Sequence, residues 1–266
     1  LLLEDSGLDS SFLYFTENGR CYWETNKHLP WYPANTTAHD AMQTQHEEKM
    51  TCALEIKDFN SDESIVLCTK NGVVKKSQLS SFKNFSRGGM ISMITDLEDS
   101  VKDAIKVKAH DHVLLITQKG KGLRFSCDHQ LRDQGRVTRG VRGIRLKSYD
   151  EVVSMLRVDD SKYLLLVSRS GLFLKTKYAA FLPRGEAHED ATPRKRGGQG
   201  VTAMNTEAVC TAIQVDTESE ILIVTEMGRS AIIRTQNIRE SNRGHKGIRG
   251  IRLDSGDAVQ SVFLVP

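Results

Sequence analysis

Five segments of this chain repeat one plan: a short apolar strand, two or three polar residues, a glycine, and a second strand carrying a cation. They are FLYFTENGRCYW (12–23), IVLCTKNGVVKK (65–76), VLLITQKGKGLRF (113–125), LLLVSRSGLFLK (164–175) and ILIVTEMGRSAIIR (221–234). The plan is that of a β-hairpin. Asn18-Gly19 and Asn71-Gly72 supply the positive-φ positions that a tight turn between twisted strands requires. The central glycines Gly19, Gly72, Gly120, Gly171 and Gly228 recur about every 50 residues, the period of a blade or solenoid array.

A second element follows four of the hairpins: SRGGMISMI (86–94), TRGVRGIRL (138–146), KRGGQGVTAM (195–204) and NRGHKGIRGIRL (242–253). Each runs from Arg-Gly into an alternating apolar stretch. An acidic turn such as Asp96-Leu97-Glu98-Asp99 and a further apolar strand such as EVVSMLRV (151–158) come next. Each repeat therefore predicts a small antiparallel sheet of roughly four strands, and five sheets predict an all-β array, since none could bury both faces alone. The expected organisation is one domain over 1–266, with blades at roughly 1–58, 59–107, 108–158, 159–215 and 216–266. The first repeat departs from the plan, because its loop, WYPANTTAHDAMQTQ (31–45), has no arginine and no glycine.

Charge is modest in sum and uneven in place. The net value is +3. Between Lys119 and Lys147, however, nine Lys and Arg face two acids, and between Arg229 and Arg252 seven face one. No apolar run reaches the roughly 20 residues of a membrane span. Five cysteines at irregular spacing fit buried thiols in a reducing, cytoplasmic compartment better than a disulfide framework. The chain opens on Leu1 rather than methionine and reads as a segment of a longer polypeptide.

Catalytic signatures are sparse. HEEKM (46–50) and HEDAT (188–192) begin like a zinc-helix motif but lack its second histidine. There is no C-x-x-C, no G-x-S-x-G and no P-loop. His110 and His112 can share one strand face, but no third ligand stands near them in sequence. The residues point to no catalytic group and no metal site.

What remains is the recurring basic loop. In a radial or solenoidal array, equivalent positions fall on one edge, so their charges add and suit a polyanion such as duplex DNA. Arginine's planar fork can hold two phosphate oxygens, and glycine lets backbone N–H groups approach phosphate. The candidate phosphate-holding residues are Arg87, Arg139, Arg142, Arg145, Arg194, Lys195, Arg196, Gly197, Gly198, Gly200, Arg243, Lys246, Arg249 and Arg252 on the loops. Arg124, Lys175 and Arg234 are the candidates on the hairpins. No stretch has the pattern of a base-reading helix, so such contacts position DNA without specifying sequence, and preference would come from ease of bending. The competing reading makes the Arg-Gly steps simple bends and the acidic turns docking sites of a protein scaffold.

These residues also resemble a known family. NGVVKKSQL (71–79), TRGVRGIRLKSYDEVVSM (138–155) and NRGHKGIRGIRLDSGDAV (242–259) are similar to the C-terminal domain of the bacterial DNA gyrase A protein and its relative in topoisomerase IV. The resemblance implies a β-pinwheel of typically six four-stranded blades that exchange strands, about five of them in this chain, with double-stranded DNA wrapped on a basic outer edge in support of negative supercoiling. It implies two partners, the remainder of the gyrase A protein and the ATPase B protein, with ATP and magnesium acting elsewhere in the holoenzyme and no cofactor in this domain. The gyrase-A box of the family reads Gln-Arg/Lys-Arg-Gly-Gly-Arg/Lys-Gly. Here Arg194 to Gly200 keeps Lys195, Arg196, Gly197, Gly198 and Gly200, with Arg194 and Gln199 replacing the glutamine and the last cation. It lies in the fourth repeat, so it resembles the box without being it.

Overall fold

Every hairpin turn closes with the same hydrogen-bond pattern around a Thr or Ser and a glycine. In the computed structural model, which describes residues 10–25, 36, 37, 40, 44, 48–83, 88–183 and 193–265, the five hairpin glycines all have φ between 70° and 79°. A buried Thr or Ser stands three positions before each glycine: Thr16, Thr69, Thr117, Ser168 and Thr225. Its carbonyl accepts the glycine N–H at 2.9–3.0 Å. Its hydroxyl accepts the N–H of the residue after the glycine, as in Val73 to Thr69 at 3.1 Å and Leu172 to Ser168 at 3.0 Å. A buried hydroxyl would be costly without a partner, and here the turn supplies one.

These turns join β1 (Ser11–Thr16) to β2 (Arg20–Thr25), β4 (Ser64–Thr69) to β5 (Val73–Gln78), β8 (His112–Thr117) to β9 (Lys121–Ser126), β12 (Tyr163–Ser168) to β13 (Leu172–Lys177), and β16 (Glu220–Thr225) to β17 (Ser230–Arg234). A third antiparallel strand lies against the first strand of each hairpin: β3 (Met50–Ile56), β7 (Val101–Val107), β11 (Val152–Arg157), β15 (Val209–Val215) and β19 (Val259–Val265). Each of these pairings slips register at the turn end, for example between Phe15 and Thr16 and between Val224 and Thr225. The slip is a bulge that raises local twist.

The fourth strand is not contiguous with the other three. It is a two-residue piece from the following repeat: β6 (Met90–Ile91), β10 (Val141–Arg142), β14 (Val201–Thr202) and β18 (Ile248–Arg249). The sheets read β3-β1-β2-β6, β10-β5-β4-β7, β11-β8-β9-β14, β15-β12-β13-β18 and β17-β16-β19. The exchanged piece also locks onto the hairpin glycine, since Gly120 O accepts Ala203 N–H at 2.7 Å. A Cβ on Gly120 would lie 2.1 Å from Met204 O, so glycine is needed there for close approach as well as for φ. The fifth sheet has three strands among the described residues, and nothing lies within 4 Å of a Cβ built on Gly228.

The chain divides into two compact units, Leu1–Ala109 with Leu131–Val141, and His110–Gln130 with Arg142–Pro266. Leu13, Phe15, Ile65, Leu67, Leu79 and Phe82 centre the core of the first. In the second, Leu114, Ile116, Leu164, Leu166, Tyr178 and Phe181 form one cluster, and Leu165, Val167, Phe173, Ile221 and Ile223 anchor another. Each such side chain contributes about 1.5–3 kcal/mol by leaving water. Short 3-10 turns after β5 (Leu79–Phe82) and β13 (Tyr178–Phe181) fold their aromatic ends inward.

The acidic turns brace these sheets. Asp99, Asp150 and Asp257 each accept a backbone N–H from the neighbouring hairpin tip, at Asn71 (3.0 Å), Lys119 (2.9 Å) and Met227 (3.1 Å). Each also accepts the N–H of its own following residue. Hydrogen bonding holds Asp257 below the ordinary carboxylate range, against the opposing pull of its surroundings.

Candidate nucleic-acid interface

The basic loops are built backwards from the exchanged strands. The glycine just before each strand, Gly89, Gly140, Gly200 or Gly247, has φ between 70° and 85°. A Cβ on Gly200 would meet Gly122 O at 2.6 Å, so only glycine lets the loop lie flat against β9. Counting from these glycines shifts the phase read from Arg-Gly alone. Arg139 aligns with Gln199 and Lys246, whereas Arg136 aligns with Arg196 and Arg243.

Consecutive loops in the second unit are hydrogen-bonded to one another. Gly197 N–H donates to Gly143 O (2.7 Å) and Arg145 N–H to Gly198 O (2.8 Å). The next step repeats the pattern, with Gly244 N–H to Ala203 O (2.7 Å) and Asn205 N–H to His245 O (2.9 Å). The N–H groups of Gly197 and Gly244 are thus committed to protein. Gly197, one of the phosphate-holding candidates, therefore has its N–H already engaged.

An arginine staples both of these junctions in the second unit. Arg196 Nε donates to Gln130 O (2.6 Å) and its Nη1 to Arg142 O (2.5 Å). Arg243 Nε donates to Ala180 O (2.6 Å) and its Nη1 to Thr202 O (3.1 Å). In the first unit Arg136 Nη1 reaches Met90 Sδ at 2.8 Å.

With the staples in place, other cations face outward. Arg142, Arg145 and Lys195 are exposed and, with Arg196, Gly197 and Gly198, line an open pocket of ≈ 540 Å³. None of these three has a carboxylate partner among the described residues. The same holds for exposed Lys246, Arg249 and Arg252. Lys246 and Arg239 line a second pocket, of ≈ 770 Å³, with Asn205, His245 and the carboxylate of Glu240. A concave patch of cations that have no carboxylate partner among the described residues, on hydrogen-bonded backbone, can hold an anion.

Comparison with known proteins gives this arrangement a family. The model described as DNA gyrase C-terminal domain, beta-propeller, matches residues 63–108, 111–159, 193–208 and 219–266. The chain belongs to that family. It is 30% identical over 262 residues to the DNA gyrase A protein of Mycolicibacterium smegmatis, covering 94% of this chain and 30% of that protein. The gyrase A protein of Chlamydia pneumoniae is 30% identical over 260 residues, with the same coverage. The chain thus spans under a third of the length of these relatives. A solved gyrase A C-terminal domain superposes with TM-score 0.79 at 23% identity, over 97% of this chain and 83% of that one. A topoisomerase IV C-terminal domain superposes with TM-score 0.83 at 21% identity, over 97% and 80%. The fold is all-β, of the propeller or pinwheel type.

Within this gyrase-family fold, several expected cations already have protein partners, two of them buried. Arg124 is buried, with a bidentate pair to Asp160 (2.8 and 2.7 Å) and a contact to His112 Nδ1 (3.1 Å). Burial and the Arg124 charge both push the His112 pKa down. Lys175 is also buried and donates to Thr235 O at 2.8 Å. Both side chains point into the sheet and are already bonded, so as placed they do not reach a surface ligand. Arg234 pairs with Glu220 at 2.8 Å and Arg139 with Asp96. Arg194 is half-buried, with Nη2 at 3.4 Å from Leu182 O. Of the Arg194 to Gly200 loop, only Lys195 is an outward cation, and Arg196 shares the pocket while holding the backbone. Arg87 and most of the arginine-free loop at 31–45 lie outside the described residues.

Sequence reasoning missed a comb. Arg132, Arg136, Arg139, Arg142 and Arg145 in the third repeat have the same spacing as Arg239, Arg243, Lys246, Arg249 and Arg252 in the fifth. The fourth repeat carries Arg196, Gln199, Thr202 and Asn205 at the corresponding places. Aligning loops on the glycine before the exchanged strand would have shown it. Among the described residues no cluster of three or more His, Cys, Asp or Glu could hold a metal, and no helix is long and apolar enough to cross a membrane.

Proposed function

We propose that this chain is the DNA-binding and DNA-wrapping C-terminal domain of a type IIA topoisomerase, from the A protein of the gyrase kind. It binds double-stranded DNA without regard to sequence and presents the transported duplex for ATP-dependent negative supercoiling. The observation that carries this reading is the pocket where unpaired Arg142, Arg145 and Lys195 converge on a backbone braced by Arg196. Phosphate is the ligand that three clustered cations suit when no carboxylate pairs with them, and among the described residues none does and no helix is placed to read bases.

Curving about 20–30 bp through 40–90° costs on the order of 1–6 kcal/mol. One patch is too little, so Lys246, Arg249 and Arg252 supply a further grip. Catalytic chemistry, ATP and magnesium belong to other parts of the holoenzyme, which pairs the A protein with an ATPase B protein in the cytoplasm. The topoisomerase IV kind is the second reading, favoured by the equally good superposition on that domain. Supercoiling of relaxed plasmid by the reconstituted holoenzyme separates the two, since a gyrase introduces negative supercoils. The scaffold reading loses ground because Asp99, Asp150 and Asp257 are engaged in bracing hairpins. A mobility-shift assay on a plain duplex of about 150 bp, one persistence length, decides it: the wrapping domain retards the duplex, and a scaffold leaves it unshifted.

A further inference from the structure

Tyr149 is the one non-glycine residue among those described with positive φ, at 58°. It sits third in a four-residue turn closed by Asp150 N–H to Lys147 O at 3.2 Å. Third-position positive φ favours glycine or asparagine, and a tyrosine there is strained. The same protein makes this turn in two unstrained ways. In the fifth sheet Asp257 N–H bonds Asp254 O at 3.1 Å with Gly256 in the third place. In the second, Asp99 N–H bonds Asp96 O at 3.0 Å with Glu98 there, outside the positive-φ set. The fold therefore does not require the strained tyrosine.

Packing does not explain it either, because Tyr149 is 95% exposed. Its ring neighbour is Lys119, whose Nζ lies 6.0 Å from the ring centroid and donates to Ser148 O at 2.6 Å. Lys119 N–H and Thr117 Oγ1 both bond Asp150. The aromatic ring and the ammonium are thus displayed together on a braced turn, with the nearest carboxylate already occupied. Exposed Lys147 precedes them. Arg145 lies four residues back, at most about 14 Å along the chain. That is well inside one duplex turn of about 34 Å.

We infer that Tyr149 and Lys119 form a DNA contact point next to the Arg142–Arg145 pocket, Lys119 on a phosphate and the tyrosine ring against the adjoining sugar. The inference rests on the DNA-binding reading. Tyrosine is suited to it, because its ring offers apolar area and its hydroxyl can donate to phosphate. The cation–aromatic pair is absent at the equivalent tips, which carry Asn71 with Glu98 and Met227 with Gly256.

The test is Tyr149→Gly in the 266-residue chain, which keeps the turn and removes the strain. Expected are a thermal midpoint equal to or above that of the parent, affinity for a duplex of about 150 bp lower by about fivefold, and an unchanged salt slope, since no charge is lost. Lys119→Gln should reduce the slope by about one phosphate's worth, ~0.9. In protein labelled with 3-fluorotyrosine, the resonance missing from the Tyr149→Gly variant should move when duplex is added. Undiminished affinity in Tyr149→Gly, or a resonance that stays in place, overturns the contact point while leaving DNA binding intact. Failure of the parent chain to bind duplex at all overturns both.

Discussion

Arg124 and Arg142 belong to the same repeat and carry the same charge, yet one is sealed inside a sheet and the other stands in water. The difference lies in the backbone that carries them. Arg124 is on a hairpin strand whose side chains alternate between packed faces, so its guanidinium must find a partner, and it takes Asp160. Arg142 is on a two-residue exchanged strand at a sheet edge, with a staple beneath it and no carboxylate beside it. Buried hairpin cations stabilise the sheets, loop cations such as Arg196 and Arg243 brace the junctions, and Arg142, Arg145 and Lys195 are free to meet a ligand. Lys75 is the extreme of the first kind. It is fully buried at the position filled by Leu123 and Leu174 in the third and fourth hairpins, and its Nζ donates to Ser92 O (2.5 Å) and to Arg136 O.

That contrast can be broken at several points. The largest effect should be in Lys75. Burial first, and the Arg136 charge second, lower its pKa to about 8 from 10.5. Below about pH 8 folded and unfolded chains both hold the proton. Between about 8 and 10.5 the folded protein releases it while the unfolded chain keeps it, so the contribution of Lys75 to stability should rise across that window, by up to about 3 kcal/mol. Burial raises the thiol pKa values of Cys21, Cys52 and Cys68, which act in the opposite direction above about pH 9, so the Lys75 contribution is read as the difference in urea midpoint between the parent and Lys75→Met, which should grow in favour of the parent as pH rises through the window. Next, Arg124→Met should cost about 1–3 kcal/mol through lost charged hydrogen bonds, moderated because Asp160 can return to water. Denaturant unfolding checks the loss, and the salt dependence of DNA binding should not change. A loss of DNA affinity at unchanged stability would erase the distinction between hairpin and loop.

A smaller effect, of opposite sign, should come from the fourth repeat. Thr202 and Asn205 stand where the third and fifth repeats have Arg142 with Arg145 and Arg249 with Arg252. Thr202→Arg with Asn205→Arg should raise duplex affinity about tenfold, ~1.4 kcal/mol, and steepen the salt slope by ~1.8 for two further phosphates. Titration at several salt concentrations measures both.

The hairpins were legible in the sequence because their chemistry is local: Asn-Gly turns and alternating strands lie within a dozen residues. The exchanged strands were not, because a two-residue strand has no period of its own. Its place is set by glycines that must lie against another repeat, as Gly200 does against Gly122. The cations divide in the same way. Arg142, Arg145 and Lys195 could be found as clustered charge, but the burial of Arg124 and Lys175 depends on which face of a strand meets its neighbour. The role of Arg196 depends on carbonyls of Gln130 and Arg142, far away in sequence. The Thr and Ser three positions before each hairpin glycine were visible throughout, and their role emerges only once the turn geometry is seen.

The central claim is that the third and fourth loops together hold phosphate through Arg142, Arg145 and Lys195. The direct measurement is the logarithmic salt slope of duplex binding between 50 and 200 mM for the parent and for the Arg142→Ala, Arg145→Ala, Lys195→Ala triple variant. Three lost phosphates should flatten the slope by ~2.7 with folding unaltered. An equal slope and affinity in the two proteins would contradict the account.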